Sequence, residues 1–205
     1  RDPTGLVQVA HWKPNDEALA EKIAAMGVET ALTITGKVID NPVVKLNQLE
    51  LQLESLQIEN EAEIPLPFDS FADTLPALDY RLDWRYMDLR RPYNTLLFQV
   101  ETTIEMAMRE YWIKHAFIEV HSPKLMGTPS ESGAELFSLD YFERKAYLAQ
   151  SPQFYKQMAM AAGFERIFEI GPVFRADPSF TARHMTEFTG VEVEISWIDS
   201  HEDVM

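Results

Sequence analysis

The 205 residues include no cysteine, eight glycines and five histidines, and each shortage removes a class of explanation. Without cysteine there is no disulfide framework and no thiolate metal site, and the histidines show no clustered ligand spacing. No stretch approaches the roughly 18 uninterrupted apolar residues of a membrane helix, and Arg1-Asp2-Pro3-Thr4 has no signal-peptide architecture. The expectation is a cytoplasmic framework with no metal site of its own and no membrane partner. Cations are also scarce, since 18 Lys and Arg face 33 Asp and Glu for a formal charge of −15. That balance weighs against broad nucleic-acid binding but leaves room for a local basic patch. Arg81, Arg85, Arg90 and Arg91 crowd into such a patch; pairing with Asp83 and Asp88 at a helix start explains them equally well.

What is present is enough apolar sequence, 46%, to build a core. Leu6 to Ala10 reads as a short strand, and Asn15 caps a helix reaching about Met26. Thr30 to Ile39 and Leu49 to Ile58 read as strands. A helix between the third and fourth strands is the layout of an OB-fold barrel, here begun inside the barrel at the turn Asp2-Pro3-Thr4-Gly5. An unrelated small α+β unit fits the pattern equally. Pro65, Pro67 and Pro76 break regular structure, which places a linker at 62–80 between a domain at 1–61 and another at 81–205. The second domain opens at Pro92 with an apolar stripe, Leu96, Leu97, Val100, Ile104, Ala107, Met108 and Tyr111, on a helix of about six turns. A strand over Ala116–Leu125, broken by Pro123, follows.

The residues with chemical content lie further on. The strand after Thr186 alternates strictly, with Val191, Val193, Ile195 and Trp197 on a core side and Gly190, Glu192, Glu194 and Ser196 on the other. Phe188 shares the polar parity. On the preceding strand Arg175 and Asp177 share a face by the same period, and the connecting loop carries Arg183, His184 and Met185. A guanidinium fork, a carboxylate and a flat ring on an open sheet suit a ligand with phosphates and an aromatic base, whereas a solvated sheet with cross-strand ion pairs is the plainer account. Upstream, Ser151 caps and Gly163 ends a helix whose Gln153, Lys156 and Gln157 share one face, with Phe154 and Met158 turned inward. A lone helical lysine is usually solvated; flanked by glutamines it can receive a carboxylate. The preceding loop, Gly127 to Phe137, offers Glu131 as a partner for an ammonium.

Phe174-Arg175-Ala176-Asp177, a variable loop, then Arg183-His184 and Phe188 resembles motif 2 of the class II aminoacyl-tRNA synthetases. The helix from Pro92 and the strand ending at Pro123 and Leu125 resemble motif 1. With the run Gln150-Ser151-Pro152-Gln153-Phe154-Tyr155-Lys156-Gln157, the whole chain resembles aspartyl-tRNA synthetases of the archaeal and eukaryotic type. The resemblance implies an α+β architecture, a partial OB-fold followed by part of a class II antiparallel-sheet catalytic domain. It implies ATP-dependent activation of L-aspartate, transfer to tRNA, Mg²⁺ accompanying ATP, and a homodimer formed through Pro92–Leu125. Glu131, Gln153, Lys156 and Arg175 would bind aspartate, with Lys156 on its side-chain carboxylate. Arg175 would join the substrate carboxylate to the α-phosphate and act catalytically. Asp177, Arg183, His184, Met185 and Phe188 would hold ATP, with Phe188 on adenine. Motif 3 has no counterpart here, so residues 1–205 alone are expected to be inactive. A non-catalytic nucleic-acid-binding paralogue and an asparagine synthetase-like ligase are the competing assignments, and residues 1–60 weigh against the latter.

Overall fold

Alternating apolar residues draw Ala31–Asp40 (β2) and Leu49–Asn60 (β3) into a long antiparallel ladder. A computed structural model describes residues 1–2, 5–12, 16–130, 135–179, 181 and 183–205. The register shifts between Thr35 and Gly36, where a β-carbon on Gly36 would lie 2.2 Å from the Gln52 carbonyl oxygen, so only glycine lets the strands approach at this bulge. Gln8–Ala10 (β1) joins β3 in parallel, giving the order β1-β3-β2. Helix α1, Glu17–Ala25, crosses between β1 and β2, and an apolar hollow lined by Val9, Ile23, Met26, Leu32, Ile34 and Leu53 lies against it. Its N-cap is Asp16, whose carboxylate accepts from Leu19 N at 3.0 Å; the expected cap, Asn15, and the turn residues Pro3 and Thr4 lie outside the described residues.

The chain divides into two compact units, Arg1–Arg91 and Pro92–Met205. The proline-bearing stretch 62–80 lies within the first. Two short helices, α2 at Leu78–Asp83 and α3 at Arg85–Asp88, end that unit. The arginine cluster is consumed there: Arg81 and Arg85 reach the buried Asp88 carboxylate at 3.0 and 2.7 Å, Arg90 pairs with Glu29, and Arg91 donates to the Ser70 carbonyl. Pairing, not a free basic patch, is the outcome.

The second unit starts with α4, Pro92–Lys114. Its C-terminal half docks through Trp112, whose ring lies 4.8 Å from that of Phe168, while Leu96, Leu97, Val100 and Ile104 are about half exposed. The expected strand at Ala116–Leu125 shrinks to Ile118–Glu119 (β4), because Ala116 takes a positive φ, 120–124 find no ladder partners and Leu125 pairs in a different sheet. Leu125–Met126 (β5), Ser138–Tyr141 (β6) and Arg144–Leu148 (β7) form a small antiparallel sheet in the order β5-β7-β6. Helix α5, Gln153–Ala161, leads to the hairpin of Arg166–Phe174 (β8) and Glu187–Ile195 (β9), which with β4 makes the sheet β4-β8-β9. Phe168 and Ile167 at its centre are fully buried. Among the described residues no helix is long and apolar enough to cross a membrane.

Candidate functional site

The ladder of β8 and β9 sets the site. Ile167 faces Glu194, Glu169 faces Glu192, Gly171 faces Gly190 and Val173 faces Phe188, and directly opposed residues share a face. One surface of the hairpin therefore carries Glu169, Glu192, Glu194 and Phe188, as the alternation predicts for Phe188. The opposite face holds Phe168, Ile170 and Val193. Trp197 does not join it: β9 ends at Ile195, and Trp197 has φ 62° and is 91% exposed. The outgoing strand also stops sooner than its period implies. It ends at Phe174, so Arg175 lies just past it and Asp177 belongs to the loop rather than to a shared strand face.

Arg175 and Phe188 nonetheless meet. The Arg175 amide donates to the Thr186 carbonyl at 2.9 Å, extending the hairpin by one bond, and its guanidinium carbon stands 5.4 Å from the centre of the Phe188 ring. No carboxylate occupies the fork among the described residues, so its donors remain available to an anion. In the loop, His184 Nδ1 shares a hydrogen bond with Thr181 Oγ1 at 2.6 Å, and Asp177, Arg183 and Met185 are exposed. Glu131 lies outside the described residues.

Helix α5 lies over the same face, turned opposite to the apolar-inward expectation. Phe154 and Met158 are more than half exposed and Gln157 is exposed, while Lys156 is 3% exposed. The cause is the surface beneath, which is the polar side of β9. Lys156 Nζ lies 2.9 Å from Glu192 Oε2 and 3.2 Å from Glu194 Oε2, and donates to the Val193 carbonyl at 3.3 Å. Gln153 Nε2 reaches Glu194 Oε2 at 3.5 Å. The helix starts after Pro152 with no side-chain cap from that residue, Ser151 Oγ accepts from the Gln153 amide at 3.4 Å, and the helix ends with Gly163 at φ 92° as expected of a terminal glycine.

A second lysine balances the neighbouring carboxylate. Lys124 Nζ and the Ser122 amide and hydroxyl all donate to Oε1 of Glu169, which is 2% exposed. Two lysines thus stand against Glu169, Glu192 and Glu194, and the cluster keeps one net negative charge, suited to an ammonium-bearing ligand. The sequence pattern places Glu192 and Glu194 on the polar strand face without assigning them to the site, and it does not single out Glu169. The available signal was a pair of acids two positions apart on a half-buried strand and a single lysine in the Pro152–Ala162 segment. Among the described residues no group of three His, Asp or Glu is arranged to hold a metal ion, so these residues by themselves offer no Mg²⁺ cage.

Residues 77–205 match the family model of class II tRNA synthetases (D, K and N). The chain is 42% identical over its whole length to an aspartate-tRNA(Asp) ligase of Pyrococcus abyssi, covering 47% of that protein, and 42% identical to an aspartate-tRNA(Asp/Asn) ligase of Methanopyrus kandleri, covering 48%. It spans about half the length of these curated relatives. The asparaginyl-tRNA synthetase of Pyrococcus horikoshii, solved with asparaginyl-adenylate, superposes with a TM-score of 0.85 at 33% identity, over 97% of this chain and 45% of that one.

Proposed function

This chain belongs to the class II tRNA synthetases of the D, K and N group, and from that premise we propose that its protein activates L-aspartate with ATP and transfers it to the 3′ end of tRNA. Its architecture is α+β, an OB-fold portion followed by part of a class II catalytic sheet. We assign 1–61 to the OB-fold, 62–80 to a linker and 81–205 to the catalytic portion. The observation that carries the substrate is Lys156: a buried ammonium on the sheet face that also holds Phe188 and adjoins Arg175.

Activation brings an anionic carboxylate against an anionic α-phosphate, so repulsion is the obstacle. Arg175, with a planar fork of five donors, binds both anions and aligns them for in-line attack while pyrophosphate departs. Phe188 stacks on adenine and Asp177 lies toward it. Arg183 and His184 reach the terminal phosphate beside Met185. Mg²⁺ accompanying ATP would supply neutralisation of phosphate charge, and Arg175, Arg183 and His184 would supply the remaining positive charge from this chain. Lys156, beside Gln153, pairs with the substrate side-chain carboxylate. Glu131 takes the α-ammonium, and the net negative charge around Glu192 favours the same group. Asparagine is nearly isosteric with aspartate; its amide would leave Lys156 without an anionic ligand, which separates the two by charge rather than shape. The exposed stripe Leu96, Leu97, Val100 and Ile104 supports a homodimer through Pro92–Leu125, and the location is cytoplasmic. The test is ATP-pyrophosphate exchange on the full-length protein with aspartate, asparagine and lysine in parallel. Exchange driven by aspartate alone is expected, and exchange driven by asparagine would overturn the assignment of Lys156.

A further inference from the structure

Arg175 acts through the place of its fork, and three backbone bonds set that place. Its own amide reaches the Thr186 carbonyl, while the amides on either side of it donate elsewhere, Phe174 to the Ala149 carbonyl at 3.0 Å and Ala176 to the Glu135 carbonyl at 3.4 Å. Ala149 follows directly on β7 and donates to the Lys124 carbonyl at 2.9 Å, so that anchor is firm. Glu135 belongs to no strand, and its carbonyl has a second donor in Gln150, whose Nε2 reaches the same oxygen at 3.4 Å. Both bonds are long, so the carbonyl is held by the pair rather than by either donor alone. Gln150 is 1% exposed, and its Oε1 is buried with no hydrogen-bond partner among the described residues. A buried amide satisfied on one half only lowers stability, and an apolar side chain of similar length would fill the space without that loss. Packing therefore does not account for a glutamine at this position; the donor at Nε2 does. The backbone amide of Gln150 donates to Ser130 Oγ at 3.3 Å, a bond that any side chain at this position would keep.

We propose that Gln150 is a positioning residue for Arg175, acting through the Glu135 carbonyl that its side chain shares with the Ala176 amide; this rests on the ligase function above. Arg175 must present one fork to two anions in line, and a displacement of about 1 Å at such a group costs on the order of a hundredfold in rate. Binding of the two substrates asks less of it. Phe188 stands on the β8–β9 ladder and Lys156 on α5, and neither is placed by the Glu135 carbonyl. Loss of the Gln150 donor should therefore slow the chemical step while leaving the affinities for ATP and aspartate nearly as they were.

The experiment compares the full-length protein with Gln150→Met, Gln150→Asn, Arg175→Lys and the double variant of Gln150→Met with Arg175→Lys. It reads aspartate-dependent pyrophosphate exchange and thermal unfolding. Gln150→Met removes both the donor and the unpartnered oxygen, whereas Gln150→Asn keeps the amide but draws it back from the carbonyl by one carbon. Each should unfold close to the parent temperature and lower kcat about tenfold or more, with the KM values for ATP and aspartate within about threefold of the parent. In the Arg175→Lys background Gln150→Met should change kcat by less than about twofold, because the fork it positions is already gone. An equal loss of kcat in both backgrounds overturns the proposal, since the damage would then be independent of Arg175. Parent kcat in either single variant that folds overturns it as well, and unfolding of both overturns it by making Gln150 a structural residue. A parent protein without aspartate-dependent exchange sinks the ligase function and this inference with it, whereas an active parent with tolerant variants sinks only the inference.

Discussion

Lys156→Met in the full-length protein keeps the side chain's length and removes its charge, with one consequence for the fold and another for the ligand. Lys156 Nζ lies 2.9 and 3.2 Å from the Glu192 and Glu194 oxygens, so those oxygens stand no more than about 6 Å apart. At an effective dielectric of about 20, two unit charges at that distance repel by roughly 3 kcal/mol. The glutamate side chains are 34% and 25% exposed, and water screens part of this. A folding loss of about 1–2 kcal/mol remains. The second consequence is at the ligand: an aspartate carboxylate loses its buried cation and meets uncompensated carboxylates, costing about 3 kcal/mol or more, which is about two decades in the aspartate KM.

Because Lys156 is already satisfied inside the chain, a raised KM alone could come from damage to β9. Lys156→Met combined with Glu194→Gln removes one of the repelling charges without restoring the ammonium. Pyrophosphate exchange and thermal unfolding of the parent, single and double variants decide the matter. The double variant should recover most of the unfolding temperature while the aspartate KM stays raised and the ATP KM stays within about twofold of the parent. If the double variant recovers the aspartate KM as well, Lys156 is a counter-ion for the strand and the substrate assignment falls.

That contest between ligand and strand shows where sequence patterning carries and where it stops. Period two placed Phe188 with Glu192 and Glu194, because a ladder without a bulge transmits parity along its whole length. It could not tell that the strand stops at Ile195, so Trp197 was placed in a core it does not reach. Helical spacing put Gln153 and Lys156 together but chose the wrong inward face. Apolar-inward is a rule about the surface beneath a helix, and the surface beneath α5 is polar strand contributed about forty residues later. The pairing of Glu169 with Lys124 likewise spans 45 residues and leaves no local trace. The first-unit strands were legible because alternating leucines mark a half-buried ladder; the segment after Ala116 misled because an apolar run says nothing of how many partners a strand will find. Arg175 was legible as a motif and not as geometry, since its contact with Phe188 is closed by a hairpin bond outside the strands proper.

Arg175→Lys should lower kcat strongly in exchange assays, because an ammonium lacks the fork, whereas Phe188→Leu should chiefly raise the ATP KM; one kinetic signature for both would remove the division of roles. Asp203 accepts the backbone amides of Ser200 and then Asp199, which holds its carboxyl below the usual aspartate range. A depressed acid stabilises above its unfolded-chain pKa and loses that contribution as pH falls through the folded value, so the single 3-10 turn at His201–Asp203 should fray in acid. Asp203→Asn should abolish that dependence in amide chemical shifts of Ser200. The last prediction concerns Asp88, whose side chain is 2% exposed and held by Arg81 at 3.0 Å and Arg85 at 2.7 Å. Asp88→Ala strands two guanidinium groups beside a vacated site. Arg81 suffers more, because it is 22% exposed against 46% for Arg85 and its Nε is already buried without a partner. Breaking a buried pair costs about 3–5 kcal/mol, and the exposure of Arg85 places the loss toward the lower end. Asp88→Asn keeps the shape and one acceptor and should lose less. Denaturant unfolding measures both, and a loss under about 1 kcal/mol for Asp88→Ala would show that the two arginines are solvated and that the cluster contributes nothing to holding the end of the first unit.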